Sequence, residues 1–239
     1  MSPFFVLLLL LSACSSTSDN KNIPAKTLYK KGVDLLKGEE YKESAKAFLD
    51  LDHFYPNDPL AGHAQLMAGY ASFMAREYND AIDAFSVFSK LQPTHSHCPY
   101  AYYMIGMCYY AQTQHVERDH SVIEKAGQAF EELIEKFPHS MYSKDAKLKI
   151  DFIRAHLSAK ELTIGRYYQS ENNCVAAMTR FHELIKRFPK TPQVPEALYR
   201  LIECQLVLGL KEEAALTLKV LTHNFPKNIW LEKARKIAS

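Results

Sequence analysis

The sequence predicts an all-α solenoid of five helix pairs closed by one further helix, and three observations carry that prediction. A residue followed by proline recurs at Tyr55-Pro56, Gln92-Pro93, Phe137-Pro138, Phe188-Pro189 and Phe225-Pro226. Counted back from each proline, the residues fall into register. Eight before stand Phe48, Phe85, Phe130, Phe181 and Leu218; twelve before stand Ser44, Ala81, Ala126, Ala177 and Ala214. Twenty-four before stand Gly32, Gly69, Gly165 and Ile202, and Gly106 takes that place in the third unit after eight extra residues. Finally, no stretch alternates apolar and polar residues with period two for long enough to make a strand. Self-similarity at a period of 20–50 residues is the mark of a repeat architecture.

Each register has a physical reason. A small residue on the first helix of a pair lets the second approach closely, and Ala or Ser on the second fits the same crossing. The bulky residue four positions later fills space between neighbouring units. Proline ends the pair, because it lacks an N–H and pushes the preceding residue out of the α region. The predicted pairs are 25–37 with 41–55, 59–75 with 78–91, 98–113 with 119–137, 142–169 with 173–188, and 192–208 with 211–225. A closing helix over 228–238, "NIWLEKARKIA", covers the last open face. The pattern resembles the tetratricopeptide repeat, with repeats at about 25–56, 59–93, 98–138, 142–189 and 192–226. That resemblance implies a right-handed superhelical solenoid whose stability is summed from neighbour contacts.

Two irregularities interrupt the period. Successive prolines are 37, 45, 51 and 37 residues apart. The excess of 14 in the fourth unit falls between Pro138 and Gly165, a stretch without Gly or Pro, and predicts a first helix longer by nearly four turns. The excess of 8 in the third falls near "QTQHVERDHSVIE", 112–124, and predicts a polar loop between the two helices of that pair. Such loops on a rigid scaffold often carry contacts.

The chain begins with a different kind of segment. Eight apolar residues, Phe4 to Leu11, run into Leu11-Ser12-Ala13-Cys14. Eight helical residues span about 12 Å, too short for the roughly 30 Å of a bilayer's hydrocarbon. They suit the apolar region of a secretory signal peptide, 1–13. Leu-Ser-Ala-Cys resembles the lipobox of bacterial lipoproteins, in which the cysteine thiol takes up diacylglycerol and becomes the new N-terminus. Cys14 is thus the predicted lipidation site, and its acyl chains the membrane anchor. The basic residues that usually precede such a run are absent, since only Met1, Ser2 and Pro3 stand before it. Ser15 rather than Asp follows the cysteine, which resembles the outer-membrane class of lipoproteins. Residues 15–24, "SSTSDNKNIP", are polar and aperiodic, so 14–24 reads as a flexible tether.

Composition narrows the function. A hydrophobic content of 47% supports a folded core, and a net charge of +2 favours neither nucleic acid nor an acidic polymer as partner. Besides Cys14, Cys98, Cys108, Cys174 and Cys204 form no CxxC and read as small core residues. In an oxidising periplasm a Cys174–Cys204 bridge is the alternative. The cluster His95-Ser96-His97-Cys98 offers three metal ligands but no properly spaced second group, and His95 fits the turn after Pro93. "HELIK" at 182–186 starts like a zincin motif but has Lys186 where a second His is required. There is no Gly-rich phosphate loop and no G-x-S-x-G elbow. Glu131, Glu132 and Glu135 read as a solvated helix face. The expectation is a binding protein, with no catalytic residues, cofactor or metal.

The two insertions, together with the lipobox, look like the BamD family of outer-membrane β-barrel assembly lipoproteins. The residues that carry the resemblance are "LQPTHSHCPYAYYMIG" at 91–106, "VERDHSVIEKAGQAFEEL" at 116–133, "FPHSMYSKDAKLKIDFIR" at 137–154 and "GRYYQSENNCVAAMTRFHELIKRFPKT" at 165–191. The resemblance covers essentially the whole mature chain and is weakest in the fifth repeat. It implies partners: the periplasmic POTRA domains of a BamA-type barrel protein, other lipoproteins of that complex, and unfolded outer-membrane proteins. By position, Arg180 corresponds to a family arginine that faces BamA; it directly precedes core Phe181 and should project beside the packed face. Tyr55 and Lys90 correspond to positions in the substrate groove of the first two repeats. Tyr55 also precedes Pro56, where an aromatic closes the helix pair. Lys90 matches a family arginine only in charge, and the two are not interchangeable in bidentate pairing.

The resulting expectation is a lipid-anchored scaffold on the periplasmic face of the outer membrane. It binds BamA through repeats four and five and extended substrate segments along repeats one to three. The rival is a tetratricopeptide lipoprotein adaptor for cell-wall or division machinery, which would need neither insertion.

Overall fold

The computed structural model describes residues 23–113 and 120–238. The signal peptide, Cys14, the tether up to residue 22 and the loop centre at 114–119 lie outside the described residues. Among those described there are eleven helices and no strand. They are α1 (Ala25–Lys37), α2 (Tyr41–Phe54), α3 (Ala61–Met74), α4 (Tyr78–Leu91), α5 (Cys98–Gln112), α6 (His120–Lys136), α7 (Met141–Ser170), α8 (Cys174–Arg187), α9 (Val194–Val207), α10 (Lys211–Asn224) and α11 (Ile229–Ala238). Every predicted helix is present, with ends within two residues of expectation. The long first helix of the fourth pair is α7, at 30 residues. No helix among the described residues is long and apolar enough to cross a membrane.

Consecutive helices pack against one another in two compact units, α1–α4 up to Leu91 and α5–α11 from Gln92. The first is centred on Leu28, Phe48, Leu51, Ala64 and Ala68. The second holds one cluster around Phe130, Leu133, Ile150 and Ile153, and another around Phe181, Leu184, Leu198, Ile202 and Leu231. Helix α9 is buried along most of its length, because α8, α10 and α11 all pack on it.

The glycine register finds its cause in these pairs. A Cβ at Gly32 would stand 2.7 Å from the Phe48 ring, at Gly69 2.8 Å from Phe85, and at Gly106 2.5 Å from Phe130. Gly165 and Phe181 repeat the arrangement more tightly still. The phenylalanine therefore does more than fill space between neighbouring units: it seats its ring edge on the glycine of its own pair. In the first unit the Ser44 hydroxyl also donates to the Gly32 carbonyl at 2.8 Å. The fifth pair departs from the scheme, with Ile202 buried and Leu218 partly buried in place of Gly and Phe.

The turns inside the first, second, fourth and fifth pairs share one geometry. Glu39, Arg76 and Asn172 have φ of 61°, 61° and 57°, and Gly209 has 77°. The amide of the next residue then bonds a carbonyl five positions back: Glu40 to Leu35 at 3.0 Å, Glu77 to Ser72 at 2.9 Å, Asn173 to Tyr168 at 2.9 Å and Leu210 to Gln205 at 2.8 Å. These are Schellman caps, whose left-handed residue is best supplied by glycine. Arg76 is exposed and bears the steric cost of that conformation. Arg76→Gly is expected to raise stability by about 0.5–1 kcal/mol, read as a higher urea midpoint with unchanged slope.

One expectation is corrected here. The composition extends the tether through Pro24, but Ile23 packs on the first core cluster and Pro24 caps α1. The Pro24 carbonyl accepts from the amides of Thr27 and Leu28 at 2.8 and 3.0 Å, so both residues belong to the fold.

Candidate partner-binding surfaces

Helix α8 starts at Asn173, whose side chain accepts from the Ala176 amide at 3.1 Å. Ala177, Phe181 and Leu184 then face the core at helical spacing. Arg180, one position before Phe181, flanks that stripe, and its side chain is 41% exposed. One guanidinium nitrogen, Nη1, lies 3.4 Å from Oε2 of the more buried Glu161 on α7. A single long contact to a half-exposed arginine is worth about 0–1 kcal/mol. Guanidinium carries five donors in a rigid fork, so this contact orients Arg180 while leaving most of its donor capacity for a partner. The expectation that Arg180 projects beside the packed face agrees with this geometry.

Two turns further along α8, Arg187 reaches Glu124 on α6 at 2.8 Å, and Arg154 on α7 reaches Glu131 on α6 at 2.8 Å. Two clefts meet at Arg154, Arg187 and Phe188. One, of about 340 Å³, is also lined by Ile150 and Leu157; the other, of about 650 Å³, by Asp151, Lys186 and Lys190. On the face of α7 opposite its core stripe, Leu148 and Phe152 are exposed one turn apart. Of the predicted solvated carboxylates, Glu131 and Glu132 are exposed but paired, with Arg154 and Lys136, and Glu135 is exposed.

The lower half of α7 is joined to α9 by a charged network that sequence reasoning missed. Arg166 pairs with Glu196, whose Oε1 also accepts from Arg200 Nε at 3.3 Å. Arg200 continues to Glu203 at 3.2 Å, and Glu203 further accepts from Gln169 at 3.0 Å and from the Tyr199 hydroxyl. The signal available was the spacing Glu196, Arg200, Glu203 on one helix face. It identifies the intrahelical pairs but not their partners on α7.

In the first unit, Tyr55 and Lys90 stand at matching ends of the second helices of consecutive pairs. Tyr55 caps α2, packs on the first core cluster and donates its hydroxyl to the Ile23 carbonyl at 2.9 Å. Its structural reading therefore has direct geometric support, and Tyr55→Phe is expected to cost about 1 kcal/mol in a urea melt through loss of that bond. Lys90 is exposed in the last turn of α4. In the same unit, the Tyr29 hydroxyl meets His63 Nδ1 at 2.6 Å between α1 and α3. A cleft of about 440 Å³ opens beside Lys30, Lys31, Asp34 and Glu40.

The remaining candidates resolve simply. His95 lies in the turn after Pro93 and its Nδ1 accepts from the His97 amide at 3.2 Å, whereas Cys98 is buried in α5. Among the described residues, no three His, Cys, Asp or Glu side chains converge on a metal-sized site. Cys98, Cys108, Cys174 and Cys204 are all buried thiols. Burial pushes the Cys108 thiol up to about 12.

Comparison with known proteins extends this picture. The sequence profile of the YfiO family, described as outer membrane lipoprotein, matches residues 21–221. The outer membrane protein assembly factor BamD of Rickettsia prowazekii (strain Madrid E) is 36% identical over 99% of this chain and 95% of its own. That of Caulobacter vibrioides is 35% identical over 90% of this chain and 70% of its own. That of Neisseria meningitidis serogroup A is 30% identical over 95% and 91%. Among solved structures, a thermophilic TPR protein from Thermus thermophilus aligns with a TM-score of 0.41 at 16% identity, over 90% of this chain and 98% of that one.

Proposed function

This chain belongs to the YfiO, or BamD, family of outer membrane lipoproteins, and on that premise we propose that it is a lipid-anchored scaffold of the β-barrel assembly machinery. Its role is to bind and align other polypeptides, without chemistry of its own. Acylation of Cys14 holds it to the outer membrane at the periplasmic face. The second unit, through Arg180, engages the POTRA domains of a BamA-type protein, with other lipoproteins of the complex as further partners. The first unit, near Tyr55 and Lys90, takes unfolded outer-membrane proteins as they are delivered for insertion.

The observation that carries this reading is the extent of the family match, which runs through both units and includes Tyr55, Lys90 and Arg180. The half-exposed guanidinium of Arg180 supports it, since an arginine fork suits a carboxylate on a partner. Tyr55 contributes its ring rather than its hydroxyl, because the hydroxyl is already engaged with Ile23.

Co-purification from detergent-solubilised native membranes tests the proposal. Arg180→Glu is expected to reduce recovery of BamA at least tenfold with unchanged helical circular dichroism. That is roughly the 1.4 kcal/mol of a lost charge-assisted contact. Glu161→Gln, which removes only the intramolecular partner, is expected to leave recovery near normal. Undiminished BamA with Arg180→Glu rejects the role of that residue. Absence of BamA from the unmodified protein's eluate rejects the function.

A further inference from the structure

Cys174 opens α8 and Cys204 lies in the third turn of α9, and both belong to the core cluster in which α8 packs on α9. Cys174 is 7% exposed and Cys204 0%. The two side chains are neighbours where α8 packs on α9; burial first, and then the nearby Cys174, pushes the Cys204 thiol up to about 12. Cys98 and Cys108 differ. They share α5 ten residues apart, about 15 Å along its axis, far beyond the reach of a disulfide.

We propose that in the exported protein Cys174 and Cys204 are joined by a disulfide that ties α8 to α9 across the 29 residues between them. The inference rests on the proposed periplasmic location, because exported compartments are oxidising and the cytosol is not. The oxidant is a periplasmic dithiol oxidase in its disulfide form. The thiolate of Cys174, the more exposed of the pair, attacks one oxidase sulfur and releases the other as a thiolate, giving a mixed disulfide. The thiolate of Cys204 then attacks the Cys174 sulfur and releases the oxidase as a dithiol. Two electrons and two protons pass from the pair to the oxidase. The exchange runs while the chain folds, before α9 is enclosed and Cys204 leaves solvent. The bridge holds α8, and with it Arg180, against the most buried helix of the second unit.

The full-length lipoprotein, taken from native membranes and denatured without reductant in the presence of a polyethylene-glycol maleimide, tests this directly. Two additions are expected, at Cys98 and Cys108, and four after reduction. A proteolytic peptide pair joining Cys174 to Cys204 should be lost on reduction, and reduction should lower Tm by roughly 5–10 °C. Four additions without reductant overturn the proposal. A second sample, refolded from the reduced state in a glutathione redox buffer, then locates the fault. A bridge formed there but missing in cells puts the error in the compartment, and a bridge missing from both puts it in the pairing.

Discussion

Gly165→Ala is expected to destabilise the second unit by about 2 kcal/mol, although alanine is the better helix former. Propensity alone favours the substitution by about 0.8–1 kcal/mol. Against that stands the Phe181 ring, fully buried, whose edge occupies the space a Cβ would need. Overpacking of this kind costs about 1–3 kcal/mol, and this is the tightest of the four glycine–phenylalanine contacts. Neither partner has room to yield. The ring is enclosed by the cluster of Leu162, Ala177, Leu184 and Ala197, and the backbone of α7 is held by its own hydrogen bonds.

Gly127 supplies the opposite sign. A Cβ there meets only Ile153 Cγ2 at 3.7 Å, an ordinary contact, so Gly127→Ala is expected to stabilise by about 0.5–1 kcal/mol. Urea denaturation of both variants checks the pair. Gly165→Ala/Phe181→Leu should recover part of the loss, because the smaller side chain makes room for the methyl group. Equal effects at Gly165 and Gly127 would reduce the register to helix propensity and remove its packing explanation.

Much of the fold was legible because its determinants are local. The prolines end helix pairs wherever they fall, and Gly and Phe recur at fixed distances before them, so the helix ends and the 30-residue α7 could be read from spacing. The turns were legible only in part. Gly209 and Asn172 announce a left-handed residue, but Glu39 and Arg76 adopt the same φ with no compositional signal. There the cap is imposed by the closing of the helix pair. The candidate sites divide in a similar way. The position of Arg180 beside core Phe181 followed from its helical phase, whereas the engagement of Tyr55 with Ile23 did not. That bond joins residues 32 apart, and the periodicity of either segment gives no hint of it.

The α7 partners of the network on α9 lie on the illegible side, and they make the strongest energetic prediction. Glu196 is 7% exposed, and its Oε1 accepts from both Arg166 and Arg200, which are themselves partly exposed. The arginine stems cover apolar surface while their heads keep access to water. The carboxylate has no such route. Arg166→Met/Arg200→Met therefore leaves a buried anion without its cations and is expected to cost about 3–5 kcal/mol near neutral pH.

Adding Glu196→Leu to the double variant should recover most of the loss at pH 7 by removing the stranded charge. Urea melts of the three proteins at pH 7 test this. A deficit that is not repaired by Glu196→Leu would mean that the arginines act here through packing alone.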